Sequence, residues 1–295
     1  MKYTKILVPL DGSAVSEQIL PYARVFVERC GMQPKLLGAI DSDVNVASMP
    51  HREYLEKTAA KYLSGSTPVD LIEEHGSAAE VIVDTAKAEP ACLIAMATNG
   101  RSGIKRLLLG SVATKVLQAA ENPLFLVRAK EQSGTAEPPT LNSVIVPLDG
   151  SELGESVLPI VIDMAKMMGL EIVVTQAYEL PSTAYYRTED YPAAGKDFVP
   201  TYDEAVAQAS SNPRRYLDKV VEQVRSQGIE KVRAVLLRGR PAEEIITVST
   251  AASDSFLAMC THGMSGVRRW VLGSVTEHVV QHASVPVLII RAAKP

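Results

Sequence analysis

Short, almost wholly apolar runs alternate along this chain with longer segments whose apolar positions recur at helical spacing. Ile6-Leu7-Val8-Pro9-Leu10 is one such run. It ends in Asp11-Gly12-Ser13, and so predicts a strand buried on both faces that closes in a tight turn. A helix is predicted from residue 16 to about residue 31, and further strands at residues 35–40, 69–73, 93–96 and 124–127. From Val144 the pattern begins again: Val144-Ile145-Val146-Pro147-Leu148-Asp149-Gly150-Ser151, a helix from 155 to about 169, and strands at 171–177, 232–237, 256–260 and 287–290.

The second pattern copies the first. Asp11 and Asp149, Pro21 and Pro159, and Ala39 and Ala177 are each separated by 138 positions. Gly76 and Gly239, Glu80 and Glu243, Gly110 and Gly273, Pro123 and Pro286, and Arg128 and Arg291 are separated by 163. The second half therefore carries 163 − 138 = 25 additional residues after its second strand. They fall on residues 179–212, rich in Tyr, Pro, Ser, Ala and acidic residues, and read as a lid or an interface arm. Strands alternating with helices predict an α/β fold of two tandem doubly wound, Rossmann-like domains, each a parallel sheet covered by helices on both faces. Their expected limits are 1–130 and 142–295, joined by a linker at 131–141. Sheets of this kind take ligands at the carboxyl ends of their strands, beside the point where strand order reverses.

Composition narrows the classes. Hydrophobic residues make up 46% and charged residues 22%, an ordinary globular balance, and a net charge of −4 gives no electrostatic case for nucleic acid or an anionic membrane. No apolar run approaches a membrane span, and the first residues lead straight into a strand, so the cytoplasm is the expected location. Cys30, Cys92 and Cys260 are too few and too scattered for a disulfide framework or a zinc cluster, and read as core residues.

The candidate chemistry gathers at the carboxyl ends of the strands. After strand four, Thr98-Asn99-Gly100-Arg101-Ser102-Gly103 leads to Gly110-Ser111, and Thr261-His262-Gly263-Met264-Ser265-Gly266 leads to Gly273-Ser274. Glycines let backbone N–H groups approach an anion, and the helix N-terminus that follows favours negative charge. Either these loops hold a polyphosphate, or Gly103 and Gly266 are turn residues and the serines cap their helices. Ser274-Val275-Thr276-Glu277 fits a capping box; Ser111-Val112-Ala113-Thr114 lacks the glutamate. Asp11 and Asp149 either bond a ribose or base or close their own Asp-Gly turns. His278 and His282 stand four apart on a predicted helix, but the order is not that of a zinc protease and no third ligand is evident. Gly-x-Ser-Gly falls one residue short of the hydrolase elbow, and neither a Walker A nor a Gly-x-Gly-x-x-Gly pattern is present. Tyr185, Tyr186, Tyr191 and Tyr202 could stack on a base, line an interface, or belong to a surface loop.

Over nearly its whole length the chain resembles a tandem universal stress protein. Nucleotide-binding members carry Gly-x-x-Gly, nine residues, then Gly-Ser/Thr. Gly100, Gly110 and Ser111, and Gly263, Gly273 and Ser274, meet that pattern, with Ala97 and Cys260 in place of the leading glycine. The resemblance implies an adenine nucleotide, ATP with or without Mg²⁺, held in the first half by Pro9, Leu10, Asp11, Ala39, Met96, Ala97, Gly100, Arg101, Gly103, Gly110, Ser111 and Val112. In the second half it implies Pro147, Leu148, Asp149, Ala177, Met259, Cys260, Gly263, Gly266, Gly273, Ser274 and Val275. The aspartates would contact the nucleoside, and Ala39 and Ala177 fall where the family's second strand meets adenine. Pro123 and Pro286 precede a last strand that in similar proteins pairs across a domain or dimer interface, so in-chain pairing and a homodimer are both implied. The function implied is a regulatory, stress-adaptation module and not a fast catalyst, since no general base can be named beside the loop. A slow ATPase and a nucleotide-free protein-interaction module are the alternatives. Were one site alone to fill, the first, with Ala97, Arg101 and no insertion, would be the one.

Overall fold

The runs of apolar residues become strands, and the segments between them become the helices that cover the sheet. A computed structural model describes residues 2–40, 51–65, 67–89, 91–98, 109–129, 138–180, 202–261 and 272–291. The first half contains β1 (Lys5–Leu10), a 3-10 turn (Ser16–Ile19), α1 (Leu20–Cys30), β2 (Gln33–Ile40), α2 (His51–Tyr62), β3 (Asp70–His75), α3 (Ala78–Lys87), β4 (Cys92–Ala97), α4 (Ser111–Ala119) and β5 (Leu124–Val127). The second contains β6 (Ser143–Pro147), the single turn α5 (Glu152–Glu155), α6 (Leu158–Met168), β7 (Glu171–Tyr178), α7 (Tyr202–Ser226), β8 (Val232–Arg238), α8 (Pro241–Ala251), β9 (Ser255–Cys260), α9 (Ser274–His282) and β10 (Val287–Ile290).

Pro21 and Pro159 sit in the first turn of α1 and α6, where a missing N–H costs nothing, and Gly31 and Gly169 end those helices in the left-handed conformation. That pairing explains why the matched prolines recur. The strands join in one ten-stranded sheet of order β3-β2-β1-β4-β5-β10-β9-β6-β7-β8. Within each half every pairing is parallel; β5 and β10 meet antiparallel, with Leu288 opposite Phe125, so the last strands of the two halves pair within the chain. Alternate residues of β1 face opposite cores: Ile6, Val8 and Leu10 one, Leu7 the other. Each core runs through both halves. Phe125 stands edge-on to Phe26 at 4.9 Å and to Phe256 at 5.7 Å, and Arg29 donates to the Leu141 carbonyl at 3.1 Å.

The expected insertion divides. Residues 181–201, with Tyr185, Tyr186 and Tyr191, lie outside the described residues, as do 131–137 of the expected linker. Residues 202–212, by contrast, are helix. They form the first turns of α7, which has 25 residues where α2 has 12. Asp203 and Glu204 oppose the helix dipole in its first turn, and the alanines that follow favour helix. Pro213 stands inside α7, where the added turns meet the part that matches α2.

Candidate functional site

The chain leaves β1 towards β2 on one side and returns to β4 on the other, so strand order reverses between β1 and β4. The β1–β4 ladder covers only Lys5, Ile6 and Leu7, and the β6–β9 ladder only Ser143, Val144 and Ile145. Two residues further on, Pro9 and Pro147 have no N–H to give. There the strands part and a cavity opens in each half, of about 300 Å³ in the first and about 420 Å³ in the second. Both lie in the size range of small-molecule sites.

The sequence-predicted residues that fall among those described converge on these cavities. Pro9, Leu10 and Asp11 at the end of β1, Ala39 on β2, Met96 and Ala97 on β4, and Gly110, Ser111 and Val112 at the start of α4 line the first. Pro147, Leu148 and Asp149, Ala177, Met259 and Cys260, and Gly273, Ser274 and Val275 line the second. Gly100, Arg101, Gly103, Gly263 and Gly266 lie outside the described residues. The two loops are pinched at their base in the same way: Gly110 donates to the Thr98 carbonyl at 2.7 Å, and Gly273 to that of Thr261 at 2.8 Å.

The capping-box expectation at Ser274 fails. Gly273 is the N-cap of α9, extended at φ −60° and ψ 145°, and its carbonyl receives the Glu277 N–H at 2.9 Å. Ser274 is thereby the first helical residue. Gly110 caps α4 in the same manner, placing Ser111 first. The opening N–H groups of both helices have no carbonyl a turn earlier to bond, and they stand at the cavity wall with the dipole's positive end.

The aspartates line the same cavities, and each closes its own turn. Asp11 Oδ1 accepts from the Ser13 amide at 3.0 Å and its hydroxyl at 2.6 Å; Asp149 Oδ1 does the same with Ser151 at 3.0 and 2.6 Å. Turn closure and cavity lining therefore coexist in one carboxylate. In each half a glutamate beyond the first strand is held by tyrosine from the helix after the second strand, α2 or α7. Tyr54 and Tyr62 donate to Glu17 at 3.1 and 3.2 Å, and Tyr216 donates to Glu155 at 2.9 Å. Burial, then the glutamate, raises the Tyr54 and Tyr216 phenols well above their ordinary range, so they stay neutral donors.

Some lining residues carried no signal in the strand pattern. Ala78 and Ile82 of α3, and Pro241 and Ile245 of α8, complete the far wall. The matched pair Gly76 and Gly239 marks them, since each holds φ near +140° in the turn that aims its helix at the cavity. Other positions differ between the halves. Ser16, Leu37 and Ala113 line the first cavity where Gly154, Thr175 and Thr276 line the second. Gln176 also lines the second, and Gly38 takes its place in the first half. Thr175 Oγ1 and Gln176 Oε1 are buried and have no hydrogen-bond partner among the described residues.

Cys30 and Cys92 lie in the core, their thiols pushed up to about 11 chiefly by burial; Cys260 lines the second cavity with its sulfur 3.5 Å from Ser156 Oγ. His278 and His282 stack at 4.2 Å on α9. Among the described residues no group of three or more His, Cys, Asp or Glu could hold a metal, and no helix is long and apolar enough to cross a membrane.

Comparison with known proteins agrees with the tandem architecture. The sequence model described as Universal stress protein family matches residues 2–128 and 140–291. Universal stress protein Rv2005c of Mycobacterium tuberculosis is 26% identical over 226 residues, 77% of this chain; the alignment spans 66% of that relative's own length. Among solved structures, PA1789 of Pseudomonas aeruginosa superposes with a TM-score of 0.71 at 15% identity, covering 98% of this chain and 93% of that one. A universal stress protein of Archaeoglobus fulgidus gives 0.68 at 19% identity, covering 99% and 100%. Both share the fold.

Proposed function

The chain belongs to the universal stress protein family, and from that premise we propose that it binds adenine nucleotide, ATP in the first instance, in both of its cavities. One observation carries the reading: each cavity at a switch point is lined by both a helix N-terminus and the aspartate that follows the first strand of its half. Helix N-terminal amides suit phosphate, and a carboxylate suits the hydroxyls of a ribose. The apolar residues between them, Met96 and Ala39 or Met259 and Ala177, suit the flat face of a base. Mg²⁺ accompanying the nucleotide would be held on its phosphates. The chain acts as a regulatory module in stress adaptation, in the cytoplasm, and not as a fast catalyst. Pairing of β5 with β10 supplies both sites within one chain, and association into a homodimer would use other surfaces.

The test is thermal unfolding with and without ATP, on the wild type and on Gly110→Val/Gly273→Val. Both glycines have φ near −60°, which a side chain tolerates, so the substitutions add bulk where the cavity meets the helix N-terminus without requiring a disfavoured φ. ATP at about a hundred times its dissociation constant should stabilise the wild type by about 2.7 kcal/mol for each site filled and leave the double variant unmoved. A wild type that ATP does not stabilise, or a double variant stabilised equally, overturns the reading.

A further inference from the structure

The aspartate of each cavity is fixed through its own turn, and the run of bonds ends on a tyrosine from another helix. In the second half Ser151 Oγ donates to Asp149 Oδ1 at 2.6 Å and accepts the Gly154 N–H at 3.0 Å, capping the single turn α5. Gly154 lines the cavity, and a Cβ on it would stand 2.8 Å from Asp149 Oδ1, so α5 lies directly against the carboxylate. The next residue, Glu155, donates its N–H to the Ser151 carbonyl at 3.1 Å and receives the Tyr216 hydroxyl of α7 at 2.9 Å. The first half repeats the arrangement. Ser13 Oγ donates to Asp11 Oδ1 and accepts the Ser16 N–H at 3.1 Å, Ser16 lines the cavity, and Glu17 takes the hydroxyls of Tyr54 and Tyr62 from α2.

Packing does not require these hydroxyls. The rings of Tyr54 and Tyr216 lie against the same core, where phenylalanine would serve. The two tyrosines stand 216 − 54 = 162 positions apart, which is neither of the offsets that relate the halves, and α2 and α7 differ in length. Each nevertheless delivers a hydroxyl to the glutamate that follows a cavity-lining residue. Burial, then the glutamate, and last the aspartate raise both phenols, so the hydroxyls remain donors and stand close enough to the aspartates to feel their charge.

We propose that Tyr216 in the second half, and Tyr54 with Tyr62 in the first, are positioning residues of the nucleotide sites: by holding Glu155 and Glu17 they fix the turns on which Asp149 and Asp11 meet the ribose. The proposal rests on the nucleotide-binding reading above. A single helical turn is not stable by itself, so α5 keeps its place through its two ends, the Ser151 cap at one and the Tyr216–Glu155 bond at the other. Without the second tie the turn and its aspartate sample other geometries, and affinity that depends on a preorganised carboxylate falls. Two tyrosines hold Glu17, with Lys61 a further 3.7 Å from it, whereas Tyr216 holds Glu155. One substitution on α7 therefore reaches the second site, and the first takes two on α2.

Calorimetric titration of the full chain with ATP tests this. Tyr216→Phe removes only a hydroxyl; it should weaken one of the two binding events roughly five-fold, the scale of one hydrogen bond, and leave the other unchanged. Tyr54→Phe/Tyr62→Phe should weaken the other event instead. Glu155→Ala should repeat the loss seen in Tyr216→Phe, and the two together should be no worse than either alone. Glu155→Gln, which keeps an oxygen for the hydroxyl, should recover most of that loss. A tyrosine with only a structural role would lower the melting temperature of the nucleotide-free chain and leave both ATP affinities as they were. That result, or losses at Glu155 and Tyr216 that add, overturns the proposal and leaves nucleotide binding standing. A gain in ATP affinity in Glu155→Gln, which would show the glutamate acting through its charge alone, also overturns it. A wild type that binds no ATP overturns both readings.

Discussion

Asp149 answers to two demands at once. Its Oδ1 closes the turn through Ser151, and the same side chain lines the cavity. Asparagine at this position keeps an acceptor for the turn but loses the charge. Asp149→Asn should therefore weaken ATP at the second site by about ten-fold or more, the scale of a hydrogen bond to a charged group, while costing under about 1 kcal/mol of stability. Calorimetry and thermal unfolding of one preparation separate the two effects. The sequence alone left turn and ligand contact as rivals, because Asp-Gly-Ser serves either; the parting of β6 from β9 opens a cavity that the turn-closing carboxylate also lines. Thr175 and Gln176 were not legible at all, since in a run of apolar strand residues nothing marks which positions come to lie beneath a cavity. The buried thiols act on stability in the alkaline range. An unfolded cysteine loses its proton near 9, whereas Cys30 and Cys92 hold theirs to about 11. The folded state binds more protons between these values, so stability is intact below about pH 9 and falls as pH rises towards 11. Urea midpoints at pH 7, 8 and 10.5 should be level between the first two and lower at the third.

At the scale of elements, the glycines that end or aim helices are not equivalent. Gly31 ends α1 at φ +62° with nothing within 4 Å of an added Cβ, so Gly31→Ala should cost about 1 kcal/mol, the strain of the left-handed conformation alone. Gly239 holds φ +143°, and a Cβ there would stand 2.6 Å from Glu244 Oε1. Gly239→Ala should cost more, about 1–3 kcal/mol, and should also loosen α8, which lines the second cavity. Denaturant unfolding of the two variants checks the order. Strands and helix ends were readable because buried parallel strands need unbroken apolar runs and helix ends need proline and glycine at fixed places. The start of α7 was not. Pro213 and the serines before it have the composition of a loop, yet Asp203, Glu204 and the alanines suffice for helix once Ala205 and, further along, Leu217 and Val220 are buried by the fold.

The whole molecule is a repeat joined at a single seam. Pairing β5 to β10 turns two half-sheets into one, and Phe125 lies at that seam between Phe26 and Phe256. Phe125→Ala should cost about 3–5 kcal/mol and lower the stability of both halves together, seen as one cooperative transition moving in near- and far-ultraviolet circular dichroism alike. The sequence made the two halves plain through their constant offsets; that their last strands pair came only from the family resemblance, since which strand edges are left open is not recorded in the hydrophobic pattern itself. The same repetition sets two cavities in one molecule, and what they hold is the central question. Mass spectrometry of small molecules released when the purified chain is denatured, followed by calorimetric titration of the stripped protein with ATP, addresses it directly. Adenine nucleotide released at up to two equivalents per chain, or taken up in that ratio on titration, is the expected result; a chain that releases none and takes up none would contradict it.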